Sequence, residues 1–172
     1  MHPEYEIRLA LADEIALLPA LEEEATQRFW SIDDLRELPD DITAVEDLAA
    51  ACELGNVWVA VTPEEDLVGF AYGTRVDDCF HLEEVAVSQA WGRRGVGRAL
   101  LRAVADYAAR AGYPAVTLTT YRDVAWNAPF YAKLGFAVVE SAAWTQGLLD
   151  AVRAEESRGL PPALRVVMQL EL

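Results

Sequence analysis

Midway along the chain the hydrophobic pattern changes period, and the residues at the change constrain the fold more than any others. Phe80 to Val87 reads as a strand. From Gly97 to Gly112 the period is helical, with Val96, Leu100, Leu101, Val104, Ala105 and Ala108 on one face. Between the two lies Gly92-Arg93-Arg94-Gly95-Val96-Gly97. A strand that passes through a glycine turn into a helix presents the free amides of the helix's first turn to an anion. Glycines at 92, 95 and 97 let backbone approach an oxyanion with no Cβ in the way. Arg93, Arg94, Arg98 and Arg102 add permanent charge within ten positions. A pyrophosphate suits such a turn, although a tight turn with a solvated arginine face explains the glycines equally well. A Walker loop would need Gly-Lys-Ser/Thr, which is absent. A dinucleotide fingerprint would need glycine where Leu100 stands.

The rest of the pattern surrounds this turn with a mixed sheet. Tyr5–Leu9 alternates as a short strand. Asp13 is expected to cap a helix carrying Ile15, Leu17, Leu18, Leu21 and Ala25, with Pro19 marking either a kink or a later start. After the break at Pro39-Asp40-Asp41, Thr43 opens a second helix that runs to Leu54 and ends at Gly55-Asn56. Strands follow at Val57–Val61, Leu67–Thr74 and Phe80–Val87, with short turns at Pro63–Asp66 and Asp77-Asp78 that make them antiparallel neighbours. Beyond the central helix come a buried strand at Val116–Thr119, a short helix from Asn127 to Leu134, and a strand at Phe136–Val139. A helix from Gln146 to Arg158 and a closing strand from Arg165 to Leu170 complete the chain. The expected fold is α/β: a mixed, largely antiparallel central sheet flanked by helices. At 172 residues the chain suits a single domain, 1–172.

Charge and composition exclude several functions. The chain holds 29 acidic and 14 basic residues, a net charge of −15, which disfavours nucleic acid as a partner and attracts cationic small molecules. No apolar run nears the roughly 20 residues of a membrane span. Met1-His2-Pro3-Glu4-Tyr5-Glu6 has neither the basic nor the apolar region of a secretory leader. Cys52 and Cys79 form no disulfide framework, so a reducing cytoplasm is the expected location. Asp77, Asp78, His81 and Glu83 match no metal-ligand spacing, so no metal is expected.

Two segments, taken in order, resemble one family. Leu82-Glu83-Glu84-Val85-Ala86-Val87, followed by Gly92-Arg93-Arg94-Gly95-Val96-Gly97-Arg98-Ala99-Leu100-Leu101, resembles the coenzyme-binding motif of the GNAT superfamily of N-acetyltransferases. Trp126-Asn127-Ala128-Pro129-Phe130-Tyr131-Ala132-Lys133-Leu134-Gly135-Phe136 resembles its closing motif. The resemblance implies an acyl-CoA N-acyltransferase fold with acetyl-CoA as co-substrate. It assigns coenzyme binding to Val85, Ala86, Val87, Gly92, Arg93, Arg94, Gly95, Val96, Gly97, Arg98 and Asn127. Where the family often carries Gln or Arg this chain has Gly92, so the grip is expected to rest on backbone amides. A bulge in the strand would splay it from its neighbour, leaving the backbone of Val85 and Val87 to pair with the pantetheine and an N–H to polarise the acetyl oxygen.

The same resemblance supplies the chemistry. An amine arrives as an ammonium and must lose a proton to attack. Regular alternation sets His81, Glu83, Val85 and Val87 on one face and Leu82, Glu84 and Ala86 on the other. Glu83 is therefore the first candidate base and Glu84 the second, because a bulge reverses parity; His81 is a third. Tyr131 is the implied general acid for the departing thiolate. Asn127 is also read as a cap of the closing helix. Trp30, Trp58, Trp126 and Trp144 either wall an acceptor pocket or are core. Glu22, Glu23, Glu24, Asp33, Asp34, Glu37, Asp40 and Asp41 fit a cationic acceptor and fit solubility equally. The expected partner is a small amine. A protein N-alpha-acetyltransferase and a non-catalytic acyl-CoA-binding regulatory module are the alternatives. Members of the superfamily often form a homodimer, and no residue here points to one.

Overall fold

The computed structural model describes residues 4–172; the first three residues of the segment read as carrying no leader lie outside them. Seven strands form one sheet in the order β1-β2-β3-β4-β5-β7-β6. They are β1 (Glu6–Leu9), β2 (Val57–Val61), β3 (Leu67–Val76), β4 (Cys79–Val87), β5 (Ala115–Tyr121), β6 (Ala137–Val138) and β7 (Arg165–Glu171). β4 and β5 run parallel through Phe80↔Val116 and His81↔Thr117. The pairs β1–β2, β2–β3, β5–β7 and β6–β7 are antiparallel. The helices are α1 (Leu18–Thr26), α2 (Val45–Glu53), α3 (Val96–Arg110), α4 (Ala128–Lys133) and α5 (Gln146–Ser157). This is the mixed α/β sheet that the pattern of periods predicts.

The chain divides into two compact units, one comprising residues up to Thr74 together with Glu83–Asp106, the other Arg75–Leu82 with Tyr107–Leu172. The first has its core where Ile15, Leu18, Leu48 and Ala51 meet Val57, Val59, Val61, Phe70, Tyr72 and Ala86. Each such side chain taken fully out of water contributes about 1.5–3 kcal/mol. In the second, Phe80 meets Tyr107 and Tyr113 edge-on at 5.5 Å, and β5 pairs with β7 along its whole length. The α5 N-terminus is held at two amides: Leu148 N–H donates to Thr145 Oγ1 and Gly147 N–H to the Asp77 carboxylate.

Three local expectations are corrected. Asp13 does not cap a helix: a single 3-10 turn spans Ile15–Leu17, and α1 starts at Leu18 with Pro19 in its first turn, where a missing N–H costs nothing. α2 starts at Val45, two residues after Thr43, whose hydroxyl is bonded to Glu22 instead of to the helix. The strand expected at Phe136–Val139 contracts to Ala137–Val138. Among the described residues no helix is long and apolar enough to cross a membrane. Both cysteines are free thiols.

Candidate active site

The glycine turn is shaped by its backbone. Arg93 has φ +62° and Gly95 φ +84°, both in the left-handed region. At Gly95 any side chain would be strained, whatever the space around it. Ala99 N–H makes the first helical bond of α3, to Gly95 O at 3.0 Å, so the amides of Val96, Gly97 and Arg98 precede the ladder. Val96 is buried and anchors the turn, while Arg93, Arg94, Gly95 and Arg98 are exposed. The arginines are already engaged. The Arg94 guanidinium lies over the Trp91 ring at 4.8 Å and 3.8 Å from Glu4, and its carbonyl accepts from the Tyr5 hydroxyl at 3.5 Å. Arg93 is close enough to Arg28 that the two repel, which, after burial, helps lower the Arg28 pKa.

β4 contains the bulge. Phe70, Tyr72 and Thr74 alternate on one face of β3, and Glu83 accepts from Thr74 Oγ1 on that face at 2.9 Å. Ala86, three residues further on, packs in the same core as Phe70 and Tyr72. Residues three apart in a regular strand face opposite ways, so one extra residue lies between Glu83 and Ala86. Regular alternation is overturned here: Glu83 and Glu84 both bear on Tyr72, whose phenol is pushed up by burial and then by these two carboxylates and Glu22. Here the Val85 N–H donates to Glu84 Oε1, at 3.0 Å.

The same face gathers residues that the local pattern did not pick out as functional. Glu22 of α1 is 2% exposed. Its carboxyl accepts from Thr43 N–H at 3.0 Å and Thr43 Oγ1 at 3.2 Å, and the carboxyl of Glu84 lies within hydrogen-bonding reach of it. Burial raises the Glu22 pKa despite these bonds, and Asp41 adds to the rise. Tyr72 also hydrogen-bonds Thr43. Sequence reading grouped Glu22 with seven other acids that fit a cationic acceptor and solubility equally. The available signal was its helical spacing, four residues after Leu18 and three before Ala25, which sets it on the apolar stripe of α1.

In the second unit Tyr131 is 8% exposed. It meets Phe130 and Phe136 edge-on at 5.4 and 5.7 Å, and its N–H donates to Asn127 O. Asn127 precedes α4 without a side-chain cap bond. Its Oδ1 accepts instead from Thr120 Oγ1 at 2.7 Å and Tyr121 N–H at 3.4 Å, which ties α4 to β5 and corrects the cap reading. His81 is 1% exposed with Nδ1 at 2.8 Å from Thr117 Oγ1, the environment of a core histidine. Trp58 is core, Trp30 is half exposed, and Trp144 donates to Val139 O. Among the described residues no group of three or more His, Cys, Asp or Glu side chains is arranged to hold a metal ion.

The model of the Acetyltransferase (GNAT) family matches residues 17–136. Solved structures share the fold at low identity. The PaiA N-acetyltransferase of Thermoplasma acidophilum, in complex with coenzyme A, is 15% identical with a TM-score of 0.70, over 98% of this chain and 99% of that one. The N-acetylglutamate synthase of Neisseria gonorrhoeae, complexed with coenzyme A and N-acetyl-glutamate, is 17% identical with a TM-score of 0.74; this chain is covered in full but spans only 36% of that one. The ribosomal-protein-S18-alanine N-acetyltransferase of Escherichia coli is 17% identical with a TM-score of 0.67, over 97% and 93%.

Proposed function

Because the chain belongs to the acetyltransferase (GNAT) family, we propose that it transfers an acetyl group from acetyl-CoA to the primary amine of a small, cationic acceptor. The observation that carries this reading is the bulge in β4. It brings two carboxylates onto one face immediately before the Val85 amide, and the glycine turn follows within ten residues. In this reading the amides of Val96, Gly97 and Arg98, which precede the helical ladder of α3, receive the pyrophosphate. The ladder of β4 with β5 ends at His81, four residues before Val85, which supports the assignment of Val85 and Val87 backbone to the pantetheine. The Val85 N–H donates to a carboxyl oxygen, Glu84 Oε1, at 3.0 Å; once Glu84 turns to the acceptor ammonium, that donor is released to the oxygen of the polarised acetyl group.

Glu84 takes the proton of the acceptor ammonium, with Glu83 beside it on the same face. This order reverses the sequence expectation, because Glu83 is exposed and bonded to Thr74 whereas Glu84 is half-buried. Tyr131 donates to the departing thiolate; a phenol near ~10 can protonate a thiolate whose thiol is near ~8.5. A net charge of −15 favours a cationic acceptor.

The test is thiol release from acetyl-CoA against a panel of polyamines, aminoglycosides, amino acids and N-terminal peptides, with product masses. Acetylation of a small amine is the expected result. Turnover only on peptides would make the chain a protein N-alpha-acetyltransferase. Coenzyme binding with no turnover on any acceptor would make it a regulatory module and overturn the reading.

A further inference from the structure

Glu84 has a partner that its own strand does not supply. An ionised carboxylate only accepts hydrogen bonds, so two carboxyls can bond each other only with a proton between them. The carboxyls of Glu22 and Glu84 lie within reach of such a bond. Glu84 is held at its other side by the Val85 N–H, and Glu22 by two donors from Thr43. Thr43 spends its own hydroxyl proton on Glu22, which leaves its oxygen to accept from Tyr72. The pair is thus fixed from four elements: α1, the segment before α2, β3 and β4. The charged and titratable groups facing it are Asp41 from that segment, Tyr72 from β3 and Glu83 from β4, all acidic or neutral.

We infer that Glu22 is a positioning residue for acetyl transfer: together with Glu84 it receives the proton that the acceptor ammonium gives up and holds it between the two carboxyls. The inference rests on the reading of Glu84 as the base. The resting pair first loses its shared proton to solvent. The bound ammonium then breaks one N–H bond, the proton forms an O–H bond to Glu84 that Glu22 shares, and the freed nitrogen lone pair attacks the acetyl carbon. A proton shared by two carboxyls is held more tightly than one on a lone carboxylate. Glu22 therefore makes Glu84 a stronger base than a solvated glutamate, while a nearby negative charge draws the ammonium in.

The test follows the carboxyl signals of protein labelled with ¹³C-glutamate from pH 4 to 9. Glu22 and Glu84 should move together through a transition above the ordinary glutamate range. In Glu22→Gln, Glu84 should titrate alone, lower by about 1 pH unit or more; in the mirror variant Glu84→Gln, Glu22 should lose its coupled step. Independent titration of both groups in the ordinary range overturns the shared proton. A second arm uses the best amine from the panel. The acid limb of the kcat/KM profile should move down by the same interval in Glu22→Gln, with KM for acetyl-CoA unchanged. A coupled titration with an unmoved limb overturns the positioning role. Absence of any turnover by the native protein overturns the role together with the reading beneath it, and the titration still decides the shared proton by itself.

Discussion

The glycine turn and the carboxyl cluster handle charge in opposite ways. In the proposed reading the turn is an anion seat made of backbone: left-handed φ at Arg93 and Gly95, amides of Val96 to Arg98 ahead of the helical ladder, and arginines whose side chains are already occupied by Trp91 and Glu4 or set against Arg28. The cluster is made of side chains: Glu22, Thr43, Tyr72, Glu83 and Glu84, drawn from four elements. Backbone dipoles cannot titrate, so the turn should work at any pH. Carboxyls can, so the cluster should respond to it. The part that holds and the part that reacts are built from different materials.

The largest test of that contrast is Gly95→Val. A β-branched residue in the left-handed region costs about 2 kcal/mol, so coenzyme A affinity by calorimetry should fall ~30-fold or more, with circular dichroism confirming the fold. Unchanged affinity would break the claim that backbone makes the seat. Tyr131→Phe should lower kcat about 100-fold while the coenzyme Kd stays within twofold; equal losses in both would return Tyr131 to simple packing. Arg93→Ala and Arg94→Ala should each weaken coenzyme binding about threefold, the scale of an exposed ion pair. A tenfold loss would move the weight from backbone to side chains.

The smallest effect sharpens the acidic side. Glu14 and Glu22 are eight residues apart and shift in opposite directions. Glu14 is lowered chiefly by its hydrogen bonds with Arg8, at 2.6 and 2.9 Å, and Glu22 is raised by burial. Because the folded Glu22 binds its proton more tightly than the unfolded chain does, its stabilisation is complete below the unfolded value and is lost as pH rises through the raised folded value. Glu14 runs the other way: its contribution is present above the unfolded value and is lost as pH falls through the lowered one. Urea unfolding from pH 2 to 8 should therefore show Glu22→Gln removing a fall in stability toward high pH and Glu14→Gln removing one below the ordinary glutamate range, each about 1 kcal/mol or less. The same slope in both variants would refute the opposition.

The same contrast explains what could be read in advance. The turn lies within seven consecutive residues, and its period change, glycines and arginines sit side by side, so local pattern exposed it. Tyr131 was picked out for the same reason, as part of one short segment. Glu22, Thr43 and Tyr72 were not, because residues 22, 43, 72 and 84 acquire meaning only when strands and helices pack. Thr43 was misread for a physical cause: a threonine before a helix is a good cap unless something buried needs its hydroxyl more, and Glu22 does. Parity along β4 failed between Glu83 and Ala86, because alternation is a property of regular strands and a bulge leaves no composition signature.

The bulge has an evolutionary consequence. Deleting Glu84 would give β4 back its even count, and Glu83 would take the position opposite Tyr72 in an unbroken ladder. Such an allele should keep the fold and lose the carboxyl that lies between Glu22 and the Val85 N–H. Selection for the proposed reaction would then have to preserve that residue, so among descendants of this sequence a deletion at 83–84 should mark loss of catalysis earlier than any loss of fold.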